Sequence, residues 1–216
     1  MVNIIRNKED FFNNVLKVIA LAVLPSLMLL LLLISMSLLV GMFGIDQPLI
    51  SILASQSIPI FISFALIPIY ILKFTDKLTF NDIGLSGFKN RKAIIMNISI
   101  LILFVSIVIY AQKFNTLISN YYVFIHFMFI GISEEILSRG IIIHILSRNL
   151  SKIVSMIISS LIFAFILHSN EDILTNLIIR VPLGIILGSM YLYTKNLSSS
   201  ILLHWFYDVV VVLKIF

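Results

Sequence analysis

The chain of 216 residues lacks cysteine altogether, and it is poor in glycine (eight), tryptophan (one) and charge. Each shortage removes a class of chemistry. Without cysteine there is no disulfide, no thiolate metal site and no cysteine nucleophile. The few glycines form no phosphate-cradling loop. A His-Glu-x-x-His run is missing, as is a Gly-x-Ser-x-Gly serine, and no Gly-x-Gly-Asp stands opposite Tyr207-Asp208. The usual signatures of zinc-helix, serine and paired-aspartate hydrolysis are therefore absent. Charged residues make up only 12% of the chain and hydrophobic ones 60%, with mean hydropathy +1.13. A soluble domain carries about a quarter charged residues. Apolar surface on this scale needs a bilayer as its solvent, and the chain reads as a multi-pass protein of the cell membrane.

What is present is a series of long apolar runs. Seven stretches near 20 residues read as spans: Val18–Phe43, Leu49–Leu72, Ala93–Gln112, Asn120–Leu146, Ile153–His168, Leu174–Tyr193 and Leu197–Leu213. The fold expected is an all-α, polytopic helical bundle, with six or eight spans as alternatives. The first run is far longer than a signal-peptide core of about 7–15 residues and reads as a retained span. A cytoplasmic N-terminus puts Arg6, Lys8, Lys17, Lys73, Lys77, Lys89, Arg91, Lys92, Arg148, Lys152 and Lys195 inside. Only Lys113 and Lys214 then lie outside, as the positive-inside rule requires. The net charge of +5 is thus topogenic and points to membrane lipid, with no nucleic acid as a partner. The longest polar connection, 73–92, carries turn signals at Asn81-Asp82 and Gly84. Gly184 and Gly188 form a Gly-x-x-x-Gly pair suited to close helix packing.

An ionisable side chain at a helix centre costs about 2.5–3.5 kcal/mol on insertion scales, so it persists with a partner or a task. The fourth span carries Glu134, Glu135 and Arg139, the fifth ends at His168, and the seventh carries His204 and Asp208. Glu135 and Arg139 are four apart and can pair on one helix face. Glu134 points about 100° away from them. His204 and Asp208 are also four apart, a spacing that lets the carboxylate fix the imidazole's tautomer. Pairing accounts for Glu135 and Arg139 and leaves Glu134, His168 and His204. A carboxylate with two imidazoles is what water activation needs, with the imidazoles as metal ligands or as proton-transfer partners without a metal. His126 and His144 fit no motif, and Arg180 beside Pro182 reads as a snorkelling or capping residue.

Glu134-Glu135-x-x-x-Arg139, then His168, then His204-x-x-x-Asp208 after Ser-Ile-Leu-Leu resembles the CPBP family of CAAX prenyl proteases and bacterial relatives, the abortive-infection domain family. The resemblance covers residues 120–213 and divides the chain into N-terminal helices, 1–119, and a catalytic region, 120–216. It implies an intramembrane endopeptidase of glutamate or metallo type. Glu134 would activate water, with His168 as its partner or a metal ligand. Glu135 and Arg139 would organise the site. His204 and residue 208 would bind a divalent metal such as zinc or stabilise the oxyanion; a metal-free mechanism stays open. The substrate would be a peptide or membrane protein reached laterally. The Ile-, Asn- and Lys-rich usage points to a bacterium, where the resemblance implies peptide maturation or bacteriocin self-immunity. Two positions depart from the family: Ala164 stands where a phenylalanine precedes the histidine by four, between Phe163 and Phe165, and Asp208 stands where asparagine is more usual.

Two other readings use the same residues differently: a non-proteolytic membrane scaffold or immunity protein, and an ion-coupled transporter. One geometric tension accompanies all three. His168 falls near the outer end of its span, whereas His204 lies about 13 Å from Lys195 at 1.5 Å per residue. Their convergence requires tilted or re-entrant helices, or different boundaries.

Overall fold

A computed structural model describes residues 8–85, 87 and 90–215; Arg6 and Lys89 of the topogenic set lie outside them. Eight helices and no strand occur among the described residues. In chain order they are α1 (Lys8–Met42), α2 (Pro48–Thr75), α3 (Arg91–Tyr110), the short α4 (Phe114–Ser119), α5 (121–146), α6 (Lys152–Leu167), α7 (Ile173–Thr194) and α8 (Leu197–Val212). In hydrocarbon every backbone N–H and C=O must be satisfied within the chain, which leaves helices as the solution for apolar runs of this length. The seven expected spans correspond to α1–α3 and α5–α8. Four of these, α1, α2, α3 and α7, are long and apolar enough to cross a membrane by length and composition. α6 and α8 are apolar but shorter, and α5 carries the charges.

α1 starts ten residues before its apolar run. Its polar first turns are held by tertiary bonds: Lys17 Nζ lies 2.7 Å from Asp76, and Asn14 donates to Asn149 at 2.5 Å. Arg148 also pairs with Asp76, so one carboxylate ties α1, α2 and the α5–α6 turn together. At the same end of the bundle, Leu197 donates to Gly84 (3.0 Å), Asn196 to Gly87 (2.9 Å), and Asn90 to Thr194. Gly84 takes φ +79°, and a Cβ there would lie 2.6 Å from the Tyr191 ring. The connection 76–90 is therefore clasped to the α7–α8 turn. The described basic residues assigned to the inside gather at this end, and Lys113 and Lys214 follow the far ends of α3 and α8.

α5 runs through the middle, with Ser133 through Ile143 buried without a break. Its C-terminal half packs on α1, α2 and α6, around Leu137, Ile141, Ile142 and Ile145. A second cluster joins α3 to α8, where Phe104 stacks on Phe206 at 3.9 Å. The expected close packing at Gly184 and Gly188 is present: Cβ atoms there would meet Ser160 at 2.9 Å and Met156 at 2.6 Å, so α7 lies directly on α6. Gly131 plays the same part between α5 and α8, with Trp205 N 3.3 Å from its missing Cβ.

Candidate functional site

Five stretches of the helices wind as π-helix, and three have a proline behind them. Pro59, Pro68 and Pro182 each stand four residues beyond the centre of a π stretch (Leu53–Ser57, Ile62–Leu66, Asn176–Arg180). Proline has no N–H and its ring clashes with the carbonyl four residues back, so the turn there widens. The other two, Ile136–Ile142 in α5 and Phe163–Leu167 in α6, contain no such proline. The first follows Glu134 and Glu135 and contains Arg139, the second ends just before His168, and π-bulges concentrate at functional sites.

Those residues come together. Glu135 and Arg139 are fully enclosed and lie 2.9 Å apart, the pair expected from their spacing. Arg139 also donates to the Gly184 carbonyl (3.2 Å), and its guanidinium sits 4.4 Å over the Phe163 ring. His204 approaches from α8, its Nδ1 2.9 Å from Glu135 Oε1. A carboxylate only accepts, so Nδ1 carries the hydrogen and Nε2 faces away from Glu135. Nε2 lies 3.7 Å from Glu134 Oε2. His168 closes the other side, its Nε2 3.9 Å from the same oxygen while Nδ1 donates to the Phe163 carbonyl at 3.0 Å. Glu134, His168 and His204 thus share one point, with Glu135 and Arg139 behind His204.

The depth tension resolves through the fold-back of His168. It caps α6 with its ring turned one turn back, to the level of Phe163. Eleven residues separate Phe163 from Lys152, about 17 Å, against the 13 Å reckoned for His204. The π winding also explains the first departure from the family pattern. Where a turn closes i to i+5, the residue five before His168 takes the place that four before holds in an α-helix. That residue is Phe163, whose ring meets His168 edge-on at 4.6 Å and His204 at 5.5 Å. Phe163 is a part of the site that spacing alone did not single out.

One expectation is corrected. The carboxylate that orients His204 is Glu135, not Asp208. Asp208 Oδ2 lies 3.5 Å from Nε2, on the reacting side of the ring, because Nδ1 faces α5. His126 bonds Ser57 Oγ (2.9 Å) between α5 and α2, and His144 meets Arg148 (3.3 Å), both away from the cluster, whereas Arg180, paired with Glu171 (3.2 Å), lies within electrostatic reach of Glu134, His168 and Asp208. Asn176, which no motif indicated, donates to the His168 carbonyl (3.0 Å) and holds the end of α6.

The buried polar atoms show where chemistry is unspent. Glu134 Oε2 and His204 Nε2 are both enclosed and neither has a hydrogen-bond partner. An unpaired buried polar atom is costly and marks a place for a ligand, a water or a function. Ligands of a tetrahedral zinc at about 2.0–2.1 Å lie about 3.4 Å from one another. The separations here are 3.7 and 3.9 Å, and no three His, Asp or Glu among the described residues are grouped to hold an ion. Two groups each hydrogen-bonded at about 2.8 Å to one tetrahedral water lie about 4.6 Å apart, so the observed separations fall between the two arrangements.

Residues 116–210 match the family model described as type II CAAX prenyl endopeptidase Rce1-like. The matched segment is 95 of the chain's 216 residues, and over it the chain is similar to that family. The matched segment contains all six motif residues, and its similarity supports the intramembrane-protease kind in general. Neither a search of curated proteins nor one of solved structures finds a match. The matched segment begins within α4 and ends two residues short of the end of α8, so α1–α3 lie outside it.

Proposed function

We propose that the protein is a glutamate-dependent intramembrane endopeptidase in which Glu134 activates water at the centre of the bundle. The observation that carries this reading is the pair of unpartnered, enclosed atoms, Glu134 Oε2 and His204 Nε2, with His168 Nε2 beside them. A water bridging them would lose one proton to Glu134 as its oxygen attacks the peptide carbonyl carbon. His168 accepts the water's second hydrogen bond and aims its lone pair. His204, with Nδ1 held by Glu135, lies between the acceptors Glu134 and Asp208 at Nε2. A proton carried there is positioned to donate to the oxyanion. As the C–N bond breaks, Glu134 returns its proton to the departing amine. Glu135 and Arg139 are positioning residues: they touch His204 and one another.

The substrate fitting this site is a membrane-proximal or lipid-associated peptide. An apolar groove of about 660 Å³ opens between α3, α5 and α8, lined by Ile132 and Trp205, near neighbours in sequence of Glu134 and His204. It supports lateral approach from the lipid. In a bacterial plasma membrane the task would be peptide maturation or bacteriocin self-immunity. Purified protein should cleave a quenched peptide library in detergent, and Glu134→Gln should be folded and inactive. A Glu134→Gln variant with full biological activity would sink the peptidase reading in favour of a scaffold, and ion-gradient-dependent flux would favour a transporter.

A further inference from the structure

The oxyanion that forms when water attacks a peptide carbonyl is stabilised by donors fixed around it, and the central cluster is short of them. Arg139 lies behind His204, paired with Glu135 (2.9 Å) and bonded to the Gly184 carbonyl (3.2 Å). His168 uses its one N–H on the Phe163 carbonyl. His204 Nε2 is left, and it stands between two acceptors, Glu134 Oε2 at 3.7 Å and Asp208 Oδ2 at 3.5 Å. An oxygen gaining negative charge beside those carboxylates is repelled by both unless a further cation faces it.

Arg180 of α7 is a cation placed to do this. Asn176 and Arg180 bound one π stretch and lie close to one turn apart, so they share a face of the helix. Asn176 Nδ2 donates to the His168 carbonyl at 3.0 Å, which sets that face against the end of α6. Arg180 Nη2 is anchored on Glu171 Oε1 at 3.2 Å, while its Nε–H is enclosed and has no hydrogen-bond partner. A buried donor left without a partner is costly and marks a place for a ligand. The guanidinium lies within electrostatic reach of Glu134, His168 and Asp208. Side-chain exposure rises from 10% at Glu134 and 14% at His168 through 17% at Arg180 to 36% at Glu171. The cluster is thus least enclosed toward the α6–α7 turn, and Arg180 links that turn to the reacting groups.

We infer, resting on the peptidase reading above, that Arg180 is a further catalytic residue whose Nε–H donates to the substrate carbonyl oxygen as it becomes the oxyanion, alongside His204 Nε2. Glu171 holds the guanidinium by Nη2, so the donor is fixed before the substrate arrives. Arg180 neither gains nor loses a proton in the step; it answers the charge that Glu134 and Asp208 oppose.

The test uses the full chain in detergent, a quenched peptide that the wild type cleaves, and the phosphinic analogue of that peptide, in which a tetrahedral anion replaces the scissile amide. Arg180→Gln should lower kcat by about 10²–10³-fold with KM little changed, since the donor acts on the oxyanion and not on the bound amide. Its affinity for the phosphinic analogue should fall by about the same factor. Arg180→Lys keeps the charge without the planar fork and should fall between. Glu171→Gln should lose less than Arg180→Gln, because the Nε–H remains. Equal losses in Arg180→Gln and Glu171→Gln, or a loss carried by KM with analogue affinity unchanged, overturn the inference and leave Arg180 as an ion-pair partner of the turn. So does a thermal midpoint that falls in step with kcat across the three variants, or an Arg180→Gln that cleaves at the wild-type rate. In each of those cases Glu134→Gln stays inactive and the peptidase reading stands. Cleavage that persists in Glu134→Gln brings down that reading, and this inference with it.

Discussion

Two clusters of carboxylate and cation hold this bundle together, and they differ in what they leave over. At the loop-rich end, Asp76 faces Lys17 and Arg148, its carboxylate enclosed and its partners 42% and 33% exposed. Each charge of that trio is answered, and water reaches the two cations. In the middle, Glu135 and Arg139 are enclosed on all sides, with His204 added. Here the pairing is incomplete, because Glu134 Oε2 and His204 Nε2 have no partner. The same residue types serve as a clamp in one place and as an unfinished site in the other. What separates them is the surplus acceptor and ring nitrogen, not the presence of charge.

The sharpest break of this comparison is Glu134→Gln. Removing a general base lowers rates by about 10²–10⁴-fold. It also removes a buried carboxylate oxygen that nothing satisfies, so the thermal midpoint should hold or rise. Cleavage of a quenched peptide and thermal unfolding in the same detergent read the two effects. A loss of stability that parallels the loss of activity would make Glu134 a structural group like Asp76.

Glu135 and Arg139 should behave in the opposite way. Glu135→Gln or Arg139→Met each leaves a buried charge uncompensated, a loss of about 3–5 kcal/mol. The double variant should lose much less than the sum, since each single change strands the other's charge. Chemical unfolding of the four proteins gives the coupling directly. Additive effects would show that the two charges do not depend on each other.

How much of this could be read from residues alone divides along the same line. The Glu135–Arg139 pair follows from helical spacing, and the convergence of Glu134, His168 and His204 follows from what each would lack if left alone. The fold class follows from the apolar runs, and the Gly184/Gly188 contact from its four-residue repeat. The partner of His204 did not follow. Residues 204 and 208 share a helix face whether or not they bond, and only the placement of α5 against α8 gives Nδ1 to Glu135. Nor could the role of Phe163 be read, because its spacing obeys a π-turn that no proline announces. The start of α1 at Lys8 was hidden for a related reason: its polar turns are held by Asn149 and Asp76, distant in sequence.

Smaller effects probe the packing that brings the site's helices together. Gly184→Ala would set a Cβ 2.9 Å from Ser160 Cβ and 3.2 Å from its Cα, so α6 and α7 must move apart. Overpacking of this kind costs about 1–3 kcal/mol. Because the Gly184 carbonyl receives Arg139, activity should fall with it. Gly131→Ala meets Trp205 N at 3.3 Å and should be milder. Equal losses at the two glycines would mean that helix separation, and not the Arg139 contact, sets the response.

The last test belongs to the clamp. Burial alone would raise the Asp76 pKa, but hydrogen bonds from Lys17 and Arg148 outweigh it and hold the carboxyl below its ordinary 3.8. A depressed pKa means that the folded state favours the charged form. The pair's contribution is therefore complete above the unfolded value and disappears as pH falls from about 4 through the folded pKa. Asp76→Asn should lose about 1–2 kcal/mol at neutral pH, a modest figure because both cations are part-exposed. The difference in stability between wild type and variant should be flat above pH about 5 and shrink to nothing in the acid range. Thermal unfolding against pH measures it. A gap that persists below the folded pKa would assign Asp76 a packing role independent of its charge, and the clamp would no longer be the satisfied counterpart of the central cluster.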